Sequence, residues 1–199
     1  MWTGYVARMA PSSISRSPWI GRLVLAGVLV GALAALAGGP GWWRAHGLVE
    51  SGATLVSDGQ YLPAVRQLVQ AVAAEPRDAR AHYYLGLAYA GLGQDAAALS
   101  HAQDAVRLAP RDARYEAGLA TLFLDAGRTP EAIVHLRRAV EMKPGSPDIR
   151  LLLADALRRA GDTDGMEREY RIAMRLAGGD TLGALAREQL RSAREQAAP

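Results

Sequence analysis

The 199-residue sequence has no cysteine and no asparagine, a single phenylalanine (Phe123) and a single lysine (Lys143) beside 22 arginines. Without thiols there are no disulfide staples and no thiolate metal sites, while oxidising and reducing compartments both stay open. Arginine in place of lysine, with abundant Ala and Gly, suits GC-rich bacterial coding. Acidic residues are absent from the first 44 positions, which carry Arg8, Arg16, Arg22 and Arg44; residues 45 to 199 hold 19 basic against 20 acidic groups. The formal net charge of +3 therefore belongs to the N-terminal segment. A chain that neutralises phosphates concentrates its cations in the folded part, so this distribution speaks against nucleic acid as a partner. The length allows one domain plus a short targeting or anchoring segment.

Charge is also missing from Leu23 to Trp43, a run of 21 residues. As a helix it would be about 31 Å long, the thickness of a bilayer core. Its leucines and valines each favour insertion by roughly 0.3 to 0.6 kcal/mol near the centre. Trp19 at one end, and Trp42 and Trp43 at the other, suit an aromatic belt, with Gly38, Gly39, Pro40 and Gly41 ending the helix. Residues 19–43 are accordingly expected to form one transmembrane helix behind a flexible tail, residues 1–18. A cleaved secretory signal, with Ala35-Leu36-Ala37 as its small-x-small site, competes with this reading, and an organellar transit peptide is a third. Three arginines before the run against one behind it predict a cytoplasmic N-terminus, a single pass through a bacterial inner membrane, and a periplasmic remainder. Within the run, Gly27 and Gly31, extended by Ala35, give a smooth face on which a partner membrane helix would pack.

The rest of the chain keeps time. Pro76, Pro110 and Pro144 are spaced by 34 residues, as are Gly59, Gly93, Gly127 and Gly161, and Ala71, Ala105, Ala139 and Ala173; PRDAR occurs at 76–80 and again at 110–114. A fixed period of this length marks a solenoid of stacked supersecondary units. The glycines are placed as left-handed stops between paired helices. Asp78, Asp112 and Ser146, the last followed by Pro147, stand where N-caps start the next helix. Gly52, Gly86, Ala120 and Ala154 on first helices are expected to face Ala64, Ala98 and Ala132 on second helices, where only small side chains permit close approach. After Asp180, a cap, Leu182, Leu185, Ala186 and Leu190 form an apolar stripe that would cover the end of the stack.

These positions resemble the tetratricopeptide repeat. In residues 79–112 the matches are Leu85, Gly86, Tyr89, Ala98, Ala105 and Pro110, with His82 and Ala102 in place of the usual aromatics. Residues 45–78 and 113–146 match similarly, and residues 147–180 keep Leu153, Ala154, Leu157, Tyr170 and Ala173 but carry Met166 and Gly178 at altered positions. The resemblance implies an all-α fold: a right-handed superhelical solenoid of about four helix pairs (residues 45–180), a capping helix at 181–199, and the membrane helix ahead of them. It also implies that first helices line a concave groove binding a peptide or helix of another protein. By repeat position that groove presents Arg80, Tyr83, Tyr84, Leu87, Arg114, Thr121, Leu151, Leu152, Asp155 and Arg158. Tyrosine offers large contact area at low entropic cost, and arginine adds directional hydrogen bonds. The chaperone-binding members grip a terminal carboxylate with Lys, Arg and Asn; here those positions hold Val49, Ala53, Tyr83, Tyr84, Ala117 and Gly118, so that peptide class is not expected.

Catalytic groupings are not apparent. His101 and His135, 34 residues apart on second helices, are expected on an outer face, and no metal, cofactor or catalytic site is expected. The reading is a membrane-anchored adaptor or scaffold that assembles an envelope complex by holding other proteins. Its rival is an accessory subunit bound to a membrane complex through its transmembrane helix.

Overall fold

The computed structural model describes residues 41–179 and 181–197. The described chain is all helix: α1 (Gly41–Ser57), α2 (Tyr61–Ala74), α3 (Ala79–Gly91), α4 (Asp95–Leu108), α5 (Ala113–Asp125), α6 (Thr129–Met142), α7 (Pro147–Arg159), α8 (Thr163–Ala177) and α9 (Thr181–Ala197). From α2 onward each helix packs on the next. The first helices α3, α5 and α7 also touch one another in succession, and α9 closes on α8 and α7. The result is a stack of antiparallel pairs, as the 34-residue beat predicts.

The tail, the Gly27, Gly31 and Ala35 face and the body of the expected membrane span lie outside the described residues. Trp42 and Trp43, expected as an interfacial belt, fall in the first turn of α1, where Trp43 is 59% exposed. Among the described residues no helix is long and apolar enough to cross a membrane.

The helix ends follow from local chemistry. At the α5–α6 joint the N–H of Gly127 donates to Leu124 O (3.1 Å) and that of Arg128 to Phe123 O (2.8 Å). This is a Schellman closure, which needs a left-handed residue; Gly127 has φ 72°, and Gly59, Gly93 and Gly161 repeat both bonds with φ between 70° and 79°. Asp78 accepts from the N–H groups of Arg80 (2.8 Å) and Ala81 (3.3 Å), and Asp112 from that of Arg114 (3.0 Å). Ser146 departs from the expected cap: its hydroxyl turns to the Asp148 carboxylate, leaving Pro147 to start α7.

Close approach within pairs is clearest at Gly86, where a Cβ would stand 3.0 Å from Ala98 O and 3.2 Å from Ala102 N, so α3 lies almost directly on the α4 backbone. Ala120, Ala132 and Ala154 are fully buried at equivalent places. Gly52 differs from expectation, because it makes room for the Leu68 side chain, 2.6 Å from where its Cβ would be, rather than for Ala64. One hydrophobic core runs from Ala98 to Ala193 and includes Leu119, Leu136, Leu153 and Tyr170; Leu68 with Leu85, and Val49 with Ala71 and Ala81, continue it toward α1. On α9 the inward residues are Ala186, Leu190 and Ala193, while Leu185 is 46% exposed. One residue is a 100° step around a helix, so Leu185 leaves the stripe that its neighbour Ala186 occupies.

Candidate functional site

The first three turns of α3 and the first turn of α5 bring Arg80, Tyr83, Tyr84, Leu87, Arg114 and Tyr115 around one depression of about 240 Å³. Caps at Asp78 and Asp112 fix where each helix starts, and hence where the side chains two to nine residues later project. Tyr83 is the hub. Its ring meets Tyr84 edge-on (centroids 5.3 Å) and Tyr115 at a tilt (5.2 Å), and it rests on the next repeat at Gly118, where no Cβ could fit without displacing it. Burial raises the phenol pKa values of Tyr83 and Tyr115, so both hydroxyls remain protonated donors at neutral pH.

Two guanidiniums flank the rings. Arg80 reaches back to α1 and donates to Glu50 Oε1 at 2.7 Å, a hydrogen bond that holds the Glu50 carboxyl below the usual carboxylate range. Arg114 donates from Nε (3.1 Å) and Nη2 (2.7 Å) to the two oxygens of Asp112, and its Cζ lies 5.6 Å from the Tyr115 ring centroid. That bond lowers the pKa of Asp112, which thereby serves both as helix cap and as counter-ion. Water screens the Arg80–Glu50 pair, so an incoming carboxylate can exchange for Glu50 at little cost.

The other residues assigned to the groove from sequence sit farther along the stack. The Thr121 hydroxyl donates to Ala117 O (3.0 Å) on its own helix. Leu151 and Leu152 pack half-buried against the core, and Asp155 accepts from Arg158 and, at 2.9 Å, from Arg159. The depression is thus built from α3 and α5, and α7 contributes nothing to its lining. Tyr115, 4% exposed, escaped the sequence reading; its clue was position, three residues past the Asp112 cap and next to Arg114.

The histidines overturn an expectation. His101 and His135 do not face outward; both turn from second helices onto first helices. His101 Nδ1 lies 3.1 Å from His82 Nδ1 and its ring stacks on Tyr89, while His135 Nδ1 lies 2.6 Å from Glu116 Oε2 and stacks on Phe123. The same 19-residue offset joins Arg150 Nη1 to Glu169 Oε2 at 2.6 Å in the fourth repeat. A ladder of polar rungs therefore runs between the helices of successive pairs. Asp104 Oδ2 joins the rung of the second repeat, 3.7 Å from His82 Nδ1, making a group of three potential metal ligands.

Comparison with known proteins gives the same architecture. Residues 51–113 and 123–168 each match the tetratricopeptide repeat, together more than half of the chain. Among solved structures, a thermophilic repeat protein of this type from Thermus thermophilus is 26% identical with a TM-score of 0.66, covering 73% of this chain and 79% of that one. MamA residues 41 to end from Desulfovibrio magneticus are 23% identical with a TM-score of 0.60, covering 66% and 75%. An O-GlcNAc transferase mutant from Thermobaculum terrenum matches over 27% of its own length (67% of this chain) at 21% identity and a TM-score of 0.60. No curated protein matches the chain.

Proposed function

Since this chain belongs to the tetratricopeptide repeat family, whose repeats bind other proteins, we propose that it is an envelope-tethered scaffold. Its first helices capture a segment of another protein bearing apolar or aromatic residues beside a carboxylate. The observation that carries this reading is the depression between α3 and α5: a cluster of three tyrosines with a cation on either side, each cation neutralised by a carboxylate that faces solvent. Aromatic rings with arginine are the composition of interface anchors, and an exchangeable ion pair supplies selectivity for an acidic group. The charge-free run at 23–43 supports a tether to the bacterial inner membrane, with the arginine bias favouring a periplasmic position for the repeats.

A photo-crosslinking residue placed at Leu87 in the full chain is expected to trap a partner that the same residue at Val134, exposed on α6, does not trap. Tyr84→Ala should reduce that adduct several-fold. Equal trapping from both positions would remove the depression from consideration. Membranes washed with carbonate should retain the chain with Met1 at its N-terminus or shortly processed; recovery of a soluble chain beginning after Ala37 would replace the tether by a cleaved signal.

A further inference from the structure

The polar rung of the second repeat differs from its sisters in holding three donors. We propose that His82, His101 and Asp104 form a binding site for a divalent transition-metal ion of the zinc class, which clips α3 to α4. The ligand atoms of the three residues lie within 4.8 Å of one another. Two imidazole nitrogens bound to one tetrahedral ion at about 2.0 to 2.1 Å stand roughly 3.3 Å apart; the two Nδ1 atoms stand 3.1 Å apart already. Asp104 completes the set with its carboxylate divided: Oδ1 accepts from Arg107 at 2.7 Å, and Oδ2 faces His82.

His82 is poised as a ligand. Its Nε2 lies 3.1 Å from the carbonyl oxygen of Pro76, which can only accept, so the proton sits on Nε2 and Nδ1 offers its lone pair. A backbone carbonyl behind a ligating histidine is the outer support that fixes tautomer and ring orientation at metal sites. His82 is 7% exposed, and His101 is held by its stack on Tyr89 at 5.5 Å with planes 9° apart, so neither ring has to be ordered at the moment of binding. Without an ion, His101 Nδ1–H donates to His82 Nδ1. Binding transfers that proton by way of solvent to His101 Nε2, so both Nδ1 lone pairs become free and no net proton is released. Two nitrogens and one oxygen suit Zn²⁺, Ni²⁺, Co²⁺ or Cu²⁺; Mg²⁺ and Ca²⁺ prefer all-oxygen shells. Asp104 borders solvent, which leaves a fourth position for water or for a partner's side chain. His82 also directly precedes Tyr83 and Tyr84, so an ion here would immobilise the helix that carries them.

The test is Zn²⁺ titrated into the full chain against a chromophoric chelator. One equivalent is expected to bind, raising Tm reversibly with EDTA. His101→Gln and Asp104→Asn, both on the half-exposed side of α4, should each weaken binding at least about tenfold. His46→Gln and His135→Gln should leave it within about twofold, as residues outside the ligand set. In the unmodified chain the imidazole signals of His82 and His101 should shift together on adding Zn²⁺, a readout that needs no variant to fold. Absence of stoichiometric binding, retention of full affinity in His101→Gln, or shifts confined to His46 would overturn the site.

Discussion

The second and third repeats share a backbone and differ in what they set between their helices. In the second, the Nδ1 atoms of His82 and His101 meet at 3.1 Å; in the third, Glu116 meets His135 at 2.6 Å with the carboxylate 5% exposed. The fourth sets Arg150 against Glu169, both largely buried. At the same offset the first repeat has Leu48 and Gln67, and Gln67 Oε1 has no hydrogen-bond partner among the described residues. Close approach at Gly86, Ala120 and Ala154 lets side chains 19 residues apart meet across the pair in the second, third and fourth repeats. It does not dictate their chemistry, so the rung is where repeats of one fold become individuals.

Breaking the third rung should have the largest effect. Glu116→Ala leaves the half-buried His135 imidazole without its partner and is expected to lower unfolding free energy by about 1 to 3 kcal/mol, read from urea denaturation. Glu116→Gln, which keeps the hydrogen bond, should lose less. Equal losses in the two variants would show that the rung acts through volume alone. Relieving the first rung should act in the opposite direction: Gln67→Leu removes an unsatisfied buried oxygen and should add up to about 1 kcal/mol, and a loss of stability would mean that the amide has a partner after all.

The smallest effect separates the second rung from the others by pH. Burial first, and the neighbouring His82 second, hold the His101 pKa below its ordinary value, against a weaker opposing pull from Asp104. The folded state therefore resists a proton that the unfolded chain accepts, and stability should decline as pH falls below about 6.5. The decline ends once the lower, folded pKa of His101 is passed. Asp112, whose pKa is depressed by Arg114, contributes stability that is lost only in a more acidic range. Denaturation midpoints at pH 7.5 and 5.5 should thus differ more in the unmodified chain than in His101→Gln; an identical difference would place the titration elsewhere.

The period of 34 was legible because the residues that make it visible, Gly and Pro, are selected by backbone geometry and tolerate few replacements. The stops at Gly59, Gly93, Gly127 and Gly161 and the caps at Asp78 and Asp112 were readable for that reason. Rotation about a helix axis was harder to read. His101 and His135 were correctly equivalent yet turned the wrong way, since a repeat spacing states that two residues share an orientation without stating which. Leu185 failed similarly, one residue off the buried line of α9. Ser146 could cap in principle, but Asp148 two residues on competes for its hydroxyl. In the depression, Tyr83 and Tyr84 came from repeat position, whereas Tyr115 enters because Tyr83 crosses to the next repeat over Gly118. That cross-repeat contact depends on tertiary packing and has no signature in either repeat alone.

The four joint glycines carry one more consequence. A Cβ at any of them would meet no atom within 4 Å, so each joint has ample space and refuses a side chain only because of its left-handed backbone. What these joints select is chirality rather than bulk. A D-alanine introduced there by chemical ligation would suit the backbone without strain and would restrict the unfolded chain, making the mirror-image residue a better fit than any of the nineteen natural alternatives to glycine.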